Sequence, residues 1–366
     1  MRRRLFLAGG LAAACRRRRG AGFPGYAFVA NEEGQAVAVV DLTAFAVARH
    51  IRLSGNPSSV IAHPSRPSVY ALTPGSGTVH EIDSARFSYG RRTACCSSAV
   101  SMRLSGESLW VLSREPRQLI GIAAGGLRVA ARIALPASPR DFDVSRDGSL
   151  AVVSFGGQGM LAVVDLRAGK LVWQAEPGGG ETGLVRFQSD ARNVLAANTR
   201  NRLLSIMQAA TGRVVTHLPL GIRPEHFCFK SDGGQLFITG EGMDAVVIVY
   251  PYQTQVAETM LAGRAPGAMA ASFSPDFLFV ANPTSGNVTI LDIETHRVIA
   301  VAPSGAEPGF ITVTPDNQYA LVLNRRSGDM AVIRITTITA TRTKSAALFT
   351  MIPVGSKPVS AAVQAV

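Results

Sequence analysis

Short apolar runs that end on a small polar residue return along this chain at an almost fixed interval, and that interval constrains the fold more than any other feature. The runs are Ala27 to Asn31, Val69 to Thr73, Leu109 to Ser113, Leu150 to Ser154, Val194 to Asn198, Leu236 to Gly240, Leu278 to Asn282 and Ala320 to Asn324. Their last residues lie 42, 40, 41, 44, 42, 42 and 42 positions apart. A period of this size marks a repeat architecture in which each unit buries its apolar faces against its neighbours.

Two further landmarks keep the same beat. Asp41, Asp83, Gln208, Tyr250, Asp292 and Arg334 close a second apolar run ten residues after the first, and Asp165 closes another one position late. Pro57, Pro139, Pro224, Pro266 and Pro308 stand 26 residues after their runs, and Ala99 and Gly180 take that place in two copies. In the last copy the proline, Pro358, arrives after 34 residues, which predicts an eight-residue insertion around 336–347. Turn-forming segments (Ser145 to Gly148, Lys230 to Gly234, Ser274 to Phe277, Thr314 to Asn317) separate the post-proline strand from the main run.

Each unit therefore reads as four short strands. The prediction is an all-β chain, a single β-propeller over residues 26–366 with eight four-stranded blades of about 42 residues. Seven blades is the alternative count, but the period divides the chain into eight. The chain opens on a second strand and ends on a first strand. The N- and C-terminal strands are thus expected to pair in one blade and close the ring. Composition agrees: 47% hydrophobic residues and 17% charged residues allow a large core and exclude disorder and coiled coil.

The segment from Leu278 to Ala300, with Leu278-Phe279-Val280-Ala281-Asn282 at its head, resembles the YVTN-type β-propeller repeat of bacterial and archaeal proteins, as do Ala27 to Asn31 and Val37 to Asp41. That resemblance implies the propeller fold and an exported or surface protein, and it brings no common chemistry with it. Blades three and four have lost most of the tetrapeptide. Only Trp110 and Trp173 are present, so the chain does not read as a WD-repeat protein.

The net charge of +12 includes seven arginines within the first nineteen residues, so the remainder carries only a modest excess and no nucleic-acid partner is expected. Residues 1–19 read as an export signal or basic leader. Arg2 to Arg4 precede an apolar run from Leu5 to Cys15 that is too short to span a bilayer. Arg3-Arg4-Leu5-Phe6-Leu7 resembles a twin-arginine export signal, and Ala12-Ala13-Ala14-Cys15 resembles a lipobox with Cys15 as the lipidated residue. The expectation is an exported protein, periplasmic or at the cell surface, whose contact with a membrane is an N-terminal lipid anchor. Arg16 to Arg19, directly after Cys15, run against this, because a positive cluster resists translocation.

Chemistry is expected at the channel mouth, on loops held by a rigid scaffold. The candidate ligand-binding residues are Arg140, Asp141, Glu181, Arg223, Glu225, His226, Arg264, Glu307 and Lys357, on loops leading into the first strand of each blade. The loops after the main run add Glu32, Glu33, Arg114, Glu115, Arg200, Glu241, Arg325 and Arg326. Such a ring can clamp an anionic or zwitterionic ligand through guanidinium forks, or be no more than a solvated rim.

His226 beside Glu225 could serve as an acid–base pair, but one imidazole with one carboxylate is not a metal set, and no metal or cofactor is expected. Cys228 reads as a small core residue. The adjacent Cys95 and Cys96 form either a strained vicinal disulfide or two thiols, and the short span between neighbouring residues favours the thiols.

The leading functional expectation is a non-enzymatic binding or scaffold propeller that engages a partner protein, a surface polymer or a small ligand at its mouth. The alternative is a lactonase-type hydrolase using His226, Glu225, Glu181 and Arg223. A third reading rests on the segment Asp165 to Trp173, which resembles the tryptophan-docking repeat of quinone-dependent dehydrogenases. Those enzymes repeat the motif in most blades, whereas here only one copy has the Trp.

Overall fold

A run such as Ala27-Phe28-Val29-Ala30 is apolar at every position, so as a strand it presents apolar side chains to both faces of its sheet. The computed structural model, which describes residues 22–338 and 348–366, shows why. The strands, numbered β1 to β32 in chain order, form eight four-stranded antiparallel sheets arranged as the blades of a propeller. Ala27 and Val29 pack on the preceding blade with Leu321 and Val332, whereas Phe28 and Ala30 pack on the following blade with Val60, Val69 and Ala71. The core is thus a set of seams between blades. Burying one large side chain such as Phe28, which is fully covered, contributes about 2–3 kcal/mol.

The ring closes within blade 1, whose strand order is β3-β2-β1-β32. There the C-terminal β32 (Pro358–Ala365) lies innermost and pairs antiparallel with β1 (Gly25–Asn31). Blades 2 to 8 follow in chain order, each from its innermost strand outwards. The eight-blade count and the terminal pairing both stand as the period predicts. The described part of the predicted insertion ends at Ile338, after a short turn at Ile335–Thr337, and 339–347 lie outside the described residues, as does the whole 1–19 leader with Cys15.

The landmarks acquire physical meanings. Asp41, Asp83, Asp165 and Asp292 end the third strands, and each accepts backbone N–H bonds from the turn that follows, as in Asp41 Oδ1 with Thr43 (2.8 Å) and Ala44 (3.1 Å). These Asx-type turns close on a left-handed residue four positions on: Phe45, Phe87, Gly169 and His296. At or beside the end of the main run in several blades, a buried polar side chain ties the strand to a neighbouring segment. Asn31 Nδ2 donates to Val354 O (2.8 Å), Ser154 Oγ to Gly183 O (2.7 Å) and Thr239 Oγ1 to Gly267 O (2.7 Å).

Candidate functional site at the channel mouth

Antiparallel order puts the loop before each innermost strand and the loop after each second strand on one face of the ring, so the candidate loops share the channel mouth. Several side chains there are spent on one another. Arg140 pairs with Glu181 (3.1 Å) across the boundary between blades 4 and 5. Lys357 Nζ meets Glu32 (2.8 Å) and Glu33 (3.7 Å), and Arg223 bridges Glu225 (3.8 Å) and Glu241 (3.5 Å). Arg264 and Glu307 are exposed on their loops.

His226 sits on β20 (Arg223–Phe229), just past a register shift that leaves Glu225 unpaired with β21. Together with Glu225, Glu241, Met243 and Asp244 it lines a cleft of about 570 Å³. Burial, reinforced by the Arg325 charge, lowers its pKa, so the ring is neutral near pH 7. Among the described residues no hydrogen bond or ion pair joins His226 to a carboxylate. Glu181, in the loop before β16 one blade away, is held by Arg140. The four residues of the hydrolase alternative therefore do not converge as a base with an orienting partner.

Arg325 is different from the other mouth cations. Placed after β29 (Tyr319–Asn324), it lies over Gly309 at the start of β28, where any side chain at 309 would collide with its guanidinium. It has no carboxylate partner among the described residues, and its buried Nε has no acceptor. Among the described residues its side chain makes a long hydrogen bond from Nη2 to Gly309 O (3.5 Å). With Arg326, Ser327, Ser356, Lys357, Glu33 and Glu307 it lines a second cleft of about 570 Å³.

Asp141 does not stand among the mouth side chains. It is the first residue of β12 and is buried, with Oδ2 accepting from Arg186 (2.5 Å) and from the Val185 N–H (3.1 Å) of blade 5. Asp143, two residues on, accepts from the Phe187 N–H (2.9 Å), and burial raises its pKa against the pull of Arg186. Arg103 of blade 3 approaches Asp141 at 3.8 Å. This chain of charges across three innermost strands escaped the sequence reading. The signal was there, as charged residues alternating with apolar ones in Asp141-Phe142-Asp143 and Val185-Arg186-Phe187.

Cys95 and Cys96 are thiols in this structure, with Sγ atoms 3.9 Å apart, and Cys228 is a free cysteine whose thiol pKa burial pushes up to about 12.

No family model matches the chain. Over 149 residues, 39% of this chain and 38% of the other, it is 24% identical to the seven-bladed β-propeller protein Rv1057 of Mycobacterium tuberculosis. Among solved structures it is similar to dihydro-heme d1 dehydrogenase NirN in complex with DHE, with a TM-score of 0.76, 15% identity, and coverage of 96% of this chain and 78% of that one. It also resembles apo AztD from Citrobacter koseri, with a TM-score of 0.68, 13% identity, and coverage of 93% and 97%. The chain is a β-propeller. At these identities the likeness concerns fold and leaves the chemistry to the site itself.

Proposed function

We propose that this propeller is a binding protein, without a catalytic reaction of its own, that takes a small anionic ligand at the channel mouth with Arg325 as the principal anchor. The observation that carries this reading is the contrast among mouth cations. Arg140, Arg223 and Lys357 are neutralised by carboxylates, whereas Arg325 is partly buried and has no carboxylate partner among the described residues. An unpaired, partly desolvated guanidinium gains about 1.5–3 kcal/mol when an anion accepts its hydrogen bonds. His226, neutral and unpartnered, would add a hydrogen bond or a metal-ligating nitrogen from the adjoining cleft. For that reason an acidic tetrapyrrole belongs among the ligands tested, in line with the propeller NirN having been solved in complex with DHE.

Calorimetric titration with citrate, inorganic phosphate and haemin, on the wild type and on Arg325→Met and Arg140→Met, tests the reading. Binding of at least one of these anions that is lost in Arg325→Met and kept in Arg140→Met supports it. No binding, or equal binding by both variants, overturns it.

We further propose that the repeat is of the YVTN type and that the protein is exported with a lipid on Cys15. The support is the tetrapeptide-like runs and the Arg3-Arg4 and Ala14-Cys15 signals. The intact mass of protein from native membranes, beginning at an acylated Cys15, is the expected result. An unprocessed Met1 mass in the soluble fraction would exclude it.

A further inference from the structure

The loop from β7 (Ser88–Ala94) to β8 (Ser98–Ser105) carries Cys95 and Cys96 on the same face of the ring as the mouth. Neighbouring side chains on an extended strand point to opposite faces, yet these two sulfurs turn to the same side. Both approach one acceptor, Gly77 O, at 3.1 Å from Cys95 Sγ and 4.0 Å from Cys96 Sγ, with 3.9 Å between the sulfurs. Gly77 makes room for this. A Cβ there would lie 2.5 Å from Cys96 Sγ, and the residue's φ of +53° suits glycine.

The spacing selects a chemistry. A disulfide needs the sulfurs at about 2.05 Å and the Cα atoms usually 4.4–6.8 Å apart, while consecutive Cα atoms across a trans peptide are fixed at about 3.8 Å. One bridging atom needs neither shift. Two sulfurs 3.9 Å apart, each about 2.3 Å from a common cation, subtend roughly 116° at it, within the trigonal-to-tetrahedral range. Two thiolates that no histidine or carboxylate among the described residues completes into a larger set suit a soft monovalent ion better than zinc, which takes four ligands.

We infer that Cys95 and Cys96 form a bidentate site for a soft, thiophilic cation, with copper(I) as its test ion. Binding replaces both thiol protons: Cu(I) plus two thiols gives a bis-thiolate complex of charge −1 and two protons. Arg132, whose Nη1 donates to Cys95 O (3.0 Å), sits where it offsets that charge. With two protein donors the remaining coordination positions stay open, which fits an ion that is accepted and passed on.

The experiment is titration of reduced, full-length protein with Cu(I) against a chromogenic Cu(I) chelator. One Cu(I) per chain is expected, with affinity falling at least tenfold in Cys95→Ser and in Cys96→Ser and holding in Cys15→Ser and Cys228→Ser. Failure to withdraw Cu(I) from the chelator, or retention by the Cys95→Ser/Cys96→Ser double variant, overturns the site. Copper K-edge X-ray absorption on the loaded wild type does not depend on any variant folding. Two sulfur neighbours at about 2.3 Å support the site, and a shell of nitrogen and oxygen alone overturns it.

Discussion

Asp141 of blade 4 and Val185 of blade 5 are joined by a hydrogen bond of 3.1 Å from the valine N–H to the aspartate Oδ2, so a side chain of one blade caps the open backbone edge of the next. Ser360 of blade 1 does the same for the Val60 N–H of blade 2 at 3.3 Å, with a hydroxyl in place of the carboxylate. An innermost strand has a free edge toward the channel, and these caps are one way of satisfying it.

Replacing Asp141 by Ala removes the cap and leaves Arg186 and Arg103 without their shared carboxylate. Because both guanidinium groups keep some contact with the channel, the expected loss is about 2–3 kcal/mol rather than the full cost of an isolated buried charge. Urea unfolding should show a lower midpoint. A midpoint within error of the wild type would mean that the seam is held by apolar packing alone.

Stability should fall as the medium is acidified through the titration of His80. Its ring is fully buried, with Nε2 at 3.0 Å from Thr73 Oγ1 and Nδ1 at 2.9 Å from Tyr89 Oη. Burial, followed by the charge of Arg92, lowers its pKa to about 4. The unfolded chain, with a pKa near 6.5, binds this proton more readily, so the contribution is complete above about pH 6.5 and drains away toward pH 4, by about 3 kcal/mol. His226, also shifted down, acts with the same sign. His80→Gln should flatten the slope of stability against pH between 4 and 6.5. An unchanged slope would place the proton uptake elsewhere.

At the mouth, Arg325→Met should weaken anion binding about tenfold or more while leaving thermal unfolding within a degree or two, since the guanidinium has only one long hydrogen bond to lose. Raised salt should weaken the wild-type affinity as well. Calorimetry at two salt concentrations reads both effects.

Asn31→Ala should cost about 1 kcal/mol, because it removes the amide donor to Val354 O at the junction where the ring closes, while His50 Nε2, at 2.9 Å, still faces that carbonyl. Asn31→Asp should be worse than Asn31→Ala, since a carboxylate cannot donate to a carbonyl and brings a buried charge. Thermal melts of the two variants give the order.

The architecture was readable because the period is carried by residues with local duties. Asp41 and Asp292 mark third strands since they cap the turns that follow, and Asn31 and Ser154 mark second strands since they tie those strands to neighbouring segments. Those duties repeat in sequence wherever they repeat in space. The site did not declare itself in the same way. Arg140, Arg223 and Arg325 are alike as letters in loops, and what separates them is whether a carboxylate from another loop arrives, which no spacing encodes. Asp141, two residues after Pro139, reads in sequence as a loop residue at the rim, and only the neighbouring blade's Val185 and Arg186 reveal its occupation.

The bond from Asn31 to Val354 spans 323 positions, and β1 pairs with a strand that lies later still. Contacts of such separation form late because the loop they close is nearly the whole molecule. During synthesis, then, β1, β2 and β3 wait as an incomplete sheet while the seven blades between them and β32 are made. For that interval the inner edge of β1 lacks the strand that covers it in the finished ring and is an edge the nascent chain has to protect.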